Sequence, residues 1–208
     1  MTNPLLPDTF YHIYNRGNNG ENIFYEERNY RHFLTLYSQH VSPVANTFAY
    51  CLLRNHFHLL IQTKTTALLP VETAAVSETA AVLTTLDSRQ ITRKFNNFFI
   101  AYAKAINKAY NRTGSLFEPR FERRKVDNQN YFIHLVNYIH RNPQKHGFVD
   151  DFREWPWSSY HTMLSVKPTR LERDEVLAWY GGSSAFVKAH GLDGNEGFIA
   201  SVLVDSFD

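Results

Sequence analysis

The chain has 208 residues, 43% hydrophobic and 15% aromatic, with a formal net charge of +2. That composition supports a packed core in one domain with extensions, or in two small domains, and excludes global disorder. A single cysteine, Cys51, excludes a disulfide framework and a cysteine-type zinc site, and no apolar run reaches membrane-spanning length, so a reducing cytoplasm is the expected compartment.

Thr9 to Asn15 is rich in aromatic and β-branched residues and reads as a first strand. Arg16-Gly17-Asn18-Asn19-Gly20 is a loop by its Gly/Asn content. Glu26 to His40 reads as a helix, with Tyr30, Phe33, Leu34 and Tyr37 at i, i+3, i+4 and i+7. Asn46 to Leu53 and His56 to Thr63 are strand-like runs joined at Arg54-Asn55, as in a hairpin. Residues 65–90 are rich in Ala, Thr and Val, and Glu-Thr-Ala-Ala-Val occurs at 72–76 and again at 78–82. This reads as a short duplicated insertion, expected to be partly helical and mobile.

Gln90 to Tyr110 is an amphipathic helix whose stripe is Ile91, Phe95, Phe98, Phe99, Tyr102 and Ile106. Aromatics at that spacing are more often core than ligand-stacking. Leu116 to Val126 follows as an extended or hairpin-like basic segment. Residues 89–125 hold ten Lys/Arg against two Asp/Glu, a concentrated positive field. It suits a polyanion, nucleic acid first, or else is a solvated helix face. Asp127 or Asn128 can cap the next helix, which should run to about Asn142 before Pro143, with Phe132, Leu135, Val136 and Ile139 as its core face. Trp155 and Trp157 should anchor a tail with helical patterns at Glu172–Tyr180 and Ser184–His190. The main domain is placed at 1–160 and a helical C-terminal extension at 161–208. The order β-α-β-β-α predicts an α+β, ferredoxin-like (RRM-like) antiparallel sheet with helices packed on one face, plus that extension.

Four residues within these elements are candidates to carry the chemistry, beginning with a histidine pair. His56 and His58 lie two apart in an apolar strand, so both imidazoles share one face while Phe57, Leu59 and Ile61 take the other. Paired nitrogens on a rigid strand suit a divalent metal. Chance alone supplies roughly 0.5 such pairs in a chain with this histidine content, so the pair needs support from elsewhere. Support comes from the last predicted helix, where Tyr138 and Asn142 are four apart and share a face. The Asn142 amide oxygen can serve as a hard ligand for Mg²⁺ or Mn²⁺. Each also has a plain reading, packing for a helix-margin tyrosine and termination for Asn before Pro.

His56-Phe57-His58 resembles the motif of the HUH single-strand DNA endonucleases. Tyr138-Ile139-His140-Arg141-Asn142-Pro143 resembles the tyrosine helix of their single-tyrosine transposases. Tyr11-His12-Ile13-Tyr14-Asn15-Arg16-Gly17, Tyr50 to Leu60, Gly114-Ser115-Leu116-Phe117 with Arg120-Phe121, and Trp157-Ser158-Ser159-Tyr160 are similar to blocks of the REP-associated tyrosine transposases. They occur in the same order across about residues 9–160. The resemblance implies that His56, His58 and Asn142 are metal ligands, with Mg²⁺ or Mn²⁺ as cofactor, and that Tyr138 is a nucleophile leaving a 5′-phosphotyrosine. It implies a DNA transposase or single-strand endonuclease in a bacterial cytoplasm, at the nucleoid, acting on single-stranded or hairpin DNA. Arg16, Arg54, Arg120, Arg123, Arg124 and Lys125 are candidates for holding DNA phosphates. A monomer is expected ahead of a homodimer. No side chain stands out as the base for Tyr138. Two other readings compete: an inactive nucleic-acid-binding regulator on the same fold, and a structural zinc site or plain core in which His134 or His140 completes the histidines.

Overall fold

The computed structural model describes residues 4–70 and 81–191. Strand β1 (Phe10–Arg16) passes through a single 3-10 turn to helix α1 (Glu27–His40), then to the hairpin of β2 (Ala45–Leu52) and β3 (His56–Thr63). A second hairpin, β4 (Thr66–Pro70) and β5 (Ala81–Thr85), precedes helix α2 (Ser88–Ala109), strand β6 (Glu122–Lys125) and helix α3 (Gln129–Lys145). The main sheet has the order β2-β3-β1-β6 with every neighbour antiparallel. Two β-α-β units interleaved in that order are the ferredoxin-like arrangement predicted from the element sequence.

Local sequence sets the boundaries. Asp87 accepts from the Gln90 backbone N–H while the Gln90 side chain accepts from Asp87 N–H, a reciprocal cap that starts α2. Asn128 accepts from Tyr131 N–H at 2.8 Å and starts α3 where a cap was expected. Helix α3 does not stop before Pro143 but runs through it to Lys145. A proline this near a C-terminus forfeits one helical hydrogen bond, and the burial of both Asn142 and Pro143 offsets it.

Helices lie on both faces of the sheet, not on one. α1 and α2 cover the Phe57 face, where Phe33 meets Phe98 at 4.7 Å and Phe57 at 5.3 Å between ring centroids. α3 covers the other face, against β2 and β3. The ferredoxin-like unit thus has its two crossover helices together, as predicted, and the chain beyond β6 returns to close the second face. That chain continues through α4 (Tyr160–Met163), α5 (Arg173–Tyr180) and α6 (Ser183–Gly191). The extension shares the core: Val176 and Phe186 are fully buried, and Trp179 packs on Phe10 and Phe48. Trp155 Nε1 donates to Leu52 O and Trp157 stacks on Tyr30, so both tryptophans anchor as expected.

The described parts of the insertion form strands, where partial helix was expected. β-Branched Thr66, Val82, Thr84 and Thr85 favour the pleated pairing of β4 with β5, and Leu86 N–H to Thr65 O closes the ladder. The first Glu-Thr-Ala-Ala-Val copy and the start of the second lie outside the described residues, as do residues 192–208 of the tail. Of the basic segment Leu116–Val126, only Glu122–Lys125 is a strand. Among the described residues no helix is long and apolar enough to cross a membrane.

Candidate active site

The site is built on the sheet face under α3. Register places Arg16 opposite His56, Tyr14 opposite His58 and His12 opposite Leu60. Directly opposed residues share a face, so strand alternation brings His12, Tyr14, Arg16, His56 and His58 together. His56 and His58 are buried at 4% and 0% exposure, with ring centroids 5.2 Å apart. Asn142, also buried, reaches down from α3 and puts its Oδ1 3.0 Å from His56 Nε2. The other His56 nitrogen, Nδ1, lies 2.8 Å from Asn55 Oδ1. An N–H donated there fixes the ring and leaves Nε2 bearing the lone pair.

His58 is held from beneath. Its Nδ1 lies 3.0 Å from His12 Nε2, and its Nε2 is buried without a hydrogen-bond partner. Burial pushes the His58 imidazole well below its ordinary value, and the neighbouring His12, His56, His146 and Lys145 push it further. The ring is therefore neutral, the state that coordinates metals. Asn142 Nδ2 is likewise buried without a hydrogen-bond partner.

Tyr138 stands one turn before Asn142 and packs edge-on against His58 at 5.4 Å, with 8% exposure. Lys145 Nζ lies 5.3 Å from the centre of its ring. Four residues assigned from two distant segments thus meet at one place: His56, His58, Tyr138 and Asn142.

These donors fit a small divalent cation. An octahedral ion with bonds of about 2.1 Å spaces adjacent ligands about 3 Å apart, which the Nε2–Oδ1 separation matches. Among the described residues no group of three or more His, Cys, Asp or Glu could hold a metal, and the Asn142 amide oxygen is the further protein donor beside His56. The alternative third ligand His140 is engaged elsewhere: its Nδ1 lies 2.9 Å from His190 Nε2 and its Nε2 2.7 Å from Ser159 Oγ.

The basic residues separate. Arg16 stands at the histidine end of β1 and pairs with Glu118. Arg124 opposes His12 on the α3 side, whereas Arg123 opposes Ile13 on the α2 side, its guanidinium 4.0 Å from the Phe121 ring centre. Arg120 lies with Arg123 on that side, and Lys125 is exposed beside Tyr11 in β6. Arg54 lines a 300 Å³ cavity with Tyr25, Tyr30 and Trp157, at the turn just before His56. The candidate basic residues therefore do not share one surface: alternation along β6 sends Arg124 and Arg123 to opposite faces, and Arg54 lies apart at the turn before His56.

Sequence reading passed over His12, Lys145 and His146. Period-2 alternation with Tyr14 gave the face of His12, but only strand pairing gave its partner. Lys145 and His146 follow Asn142 by three and four residues, the spacing of helix neighbours, and the expected stop at Pro143 concealed them. His146 caps α3 with its ring 4.8 Å from His56.

No family model matches the chain. Over 115 residues it is 30% identical to a protein of Haemophilus influenzae bearing the name REP-associated tyrosine transposase, covering 55% of this chain and 58% of that one. Over 47 residues it is 38% identical to the REP-associated tyrosine transposase of Escherichia coli, covering 23% and 28%. The chain thus spans less than two thirds of either relative. A solved structure of a REP-associated tyrosine transposase bound to a REP hairpin shares the fold, with a TM-score of 0.54 and 19% identity over 81% of this chain and 87% of that one.

Proposed function

We propose that this chain, similar in sequence and fold to REP-associated tyrosine transposases, is a metal-dependent single-strand DNA endonuclease and transposase that cuts and rejoins through a 5′-phosphotyrosine. The observation that carries the reading is the convergence of Tyr138 on the His56–His58–Asn142 cluster across a sheet and a helix distant in sequence. Relatives named as transposases, and a fold neighbour solved with a REP hairpin, support DNA as the substrate, which we take to be single-stranded or hairpin DNA.

His56 Nε2, His58 Nε2 and Asn142 Oδ1 would hold Mg²⁺ or Mn²⁺, which when bound supplies neutralisation of phosphate charge. The chain's own residues do the rest. Coordination through His58 Nε2 requires the proton on Nδ1, where His12 Nε2 accepts it; His12 is thus a positioning residue for the ligand. The Tyr138 hydroxyl loses its proton and its oxygen forms a bond to phosphorus, while the bond from phosphorus to the 3′ oxygen breaks and that oxygen takes up a proton. Lys145, beside the ring, favours the phenolate electrostatically. The phosphotyrosine conserves the ester bond, so a second 3′-hydroxyl can displace Tyr138 and rejoin the strand without ATP.

The test is a denaturing gel of the protein with labelled hairpin DNA and Mn²⁺. A covalent adduct is expected, lost in Tyr138→Phe and kept in Tyr131→Phe, the other tyrosine two turns earlier on α3. Adduct surviving in Tyr138→Phe contradicts the assignment, and DNA binding with no adduct from the parent protein favours the inactive regulator.

A further inference from the structure

On the face of the sheet opposite Tyr138, a cleft of 850 Å³ opens between the N-terminal half of α2 and the segment entering β6. Arg89 and Arg93 line it from α2, and Arg120 and Arg123 from the other side. No carboxylate lines it, and among the described residues no ion pair involves Arg89, Arg93 or Arg120. Two of the cations sit in the first turns of α2, where the helix dipole already presents positive charge. Arg89, Arg93 and Arg120 thus gather exposed positive charge around the cleft, and an anion bound there would offset both that charge and the helix end.

The lining also identifies the kind of anion. Apart from the arginines it offers Ser88, Thr92, Asn96 and Asn97, and the Thr92 hydroxyl is buried without a partner. Phe121 is 4% exposed and covered by Arg123, so no base can stack on it. Donors without an open aromatic face suit phosphate oxygens, not bases. A charged edge strand merely guarding against aggregation would need exposed charge on β6 alone; here the charge converges from two elements, and Arg123 is half-buried.

We propose that this cleft binds the sugar–phosphate backbone of DNA flanking the cleavage site, a second contact beyond the tyrosine face. This rests on the nuclease reading for the identity of the polyanion. β6 is the edge of the sheet and carries Arg124 on the tyrosine face and Arg123 on the cleft face, so one DNA molecule passing the edge meets both.

The experiment measures the affinity of a labelled hairpin with a single-stranded flank between 50 and about 200 mM salt, in a Tyr138→Phe background that keeps the DNA uncut. Adding Arg89→Gln with Arg93→Gln is expected to weaken binding about tenfold regardless of sequence and to reduce the salt slope by about 1.4–1.8, two phosphate contacts' worth. The melting temperature should hold or rise, since charge leaves a helix N-terminus. Unchanged affinity and slope overturn the cleft. A reduced slope upholds it even where the parent protein forms no adduct, so the cleft and the nuclease reading fail separately.

Discussion

His12 decides which nitrogen of His58 is available. A proton donated from His12 Nε2 to His58 Nδ1 would leave the only other proton on His58 Nε2 and block coordination; the reverse donation frees it. Replacing His12 by Phe keeps a ring in a fully buried position but removes the acceptor. Mn²⁺ affinity should fall about 10–100-fold by calorimetric titration, with His12→Gln recovering part of it. Equal affinity in His12→Phe and the parent would remove His12 from the site. The histidine pair, Tyr138 and Asn142 were legible in the sequence because strand and helix periods give faces directly. His12 was not, because a period gives a face and never the neighbour across the sheet.

At the scale of elements, the histidine end of the sheet depends on the turn after β1. Gly17 N–H donates to Asn55 O at 2.8 Å, and a Cβ at Gly17 would lie 1.9 Å from the Glu21 carbonyl oxygen. That oxygen is backbone and cannot swing aside. Gly17→Ala should cost about 1–3 kcal/mol, read by denaturant unfolding, and should shift the NMR signals of His56, the neighbour of the Asn55 that Gly17 N–H holds. A neutral Gly17→Ala would mean the turn relaxes freely. The insertion shows the opposite limit of sequence reading. Its Ala content suggested helix, yet Thr66–Pro70 and Ala81–Thr85, the latter starting within the second repeat, pair as β4 and β5. Propensity there is weak, and the pairing of two segments with each other outweighs it.

For the whole molecule, the extension is tied to α3 through His140 and His190. Burial pushes the His190 imidazole down to about 4 and also lowers His140. In the unfolded chain His190 titrates near its ordinary value of about 6.5, so between those values the unfolded state binds more protons. Stability from His190 is therefore intact above about pH 6.5 and declines as pH falls towards 4. On the order of 1–2 kcal/mol should be lost by pH 5, lowering the melting temperature by roughly 3–6 °C. His190→Gln should melt lower at pH 7 but with a shallower decline; an equally steep decline would place the pH dependence elsewhere.

The sequence by itself determined the ferredoxin-like order of elements, the shared face of His56 and His58, and the pairing of Tyr138 with Asn142, because each follows from local periodicity and chain order. Only the tertiary structure decided that α3 covers that face, that His12 lies behind His58, and that Arg124 and Arg123 divide between the tyrosine face and the α2 cleft. Those facts depend on strand register and on which layer a helix joins. Both are set by packing between segments distant in the chain, which no local pattern encodes.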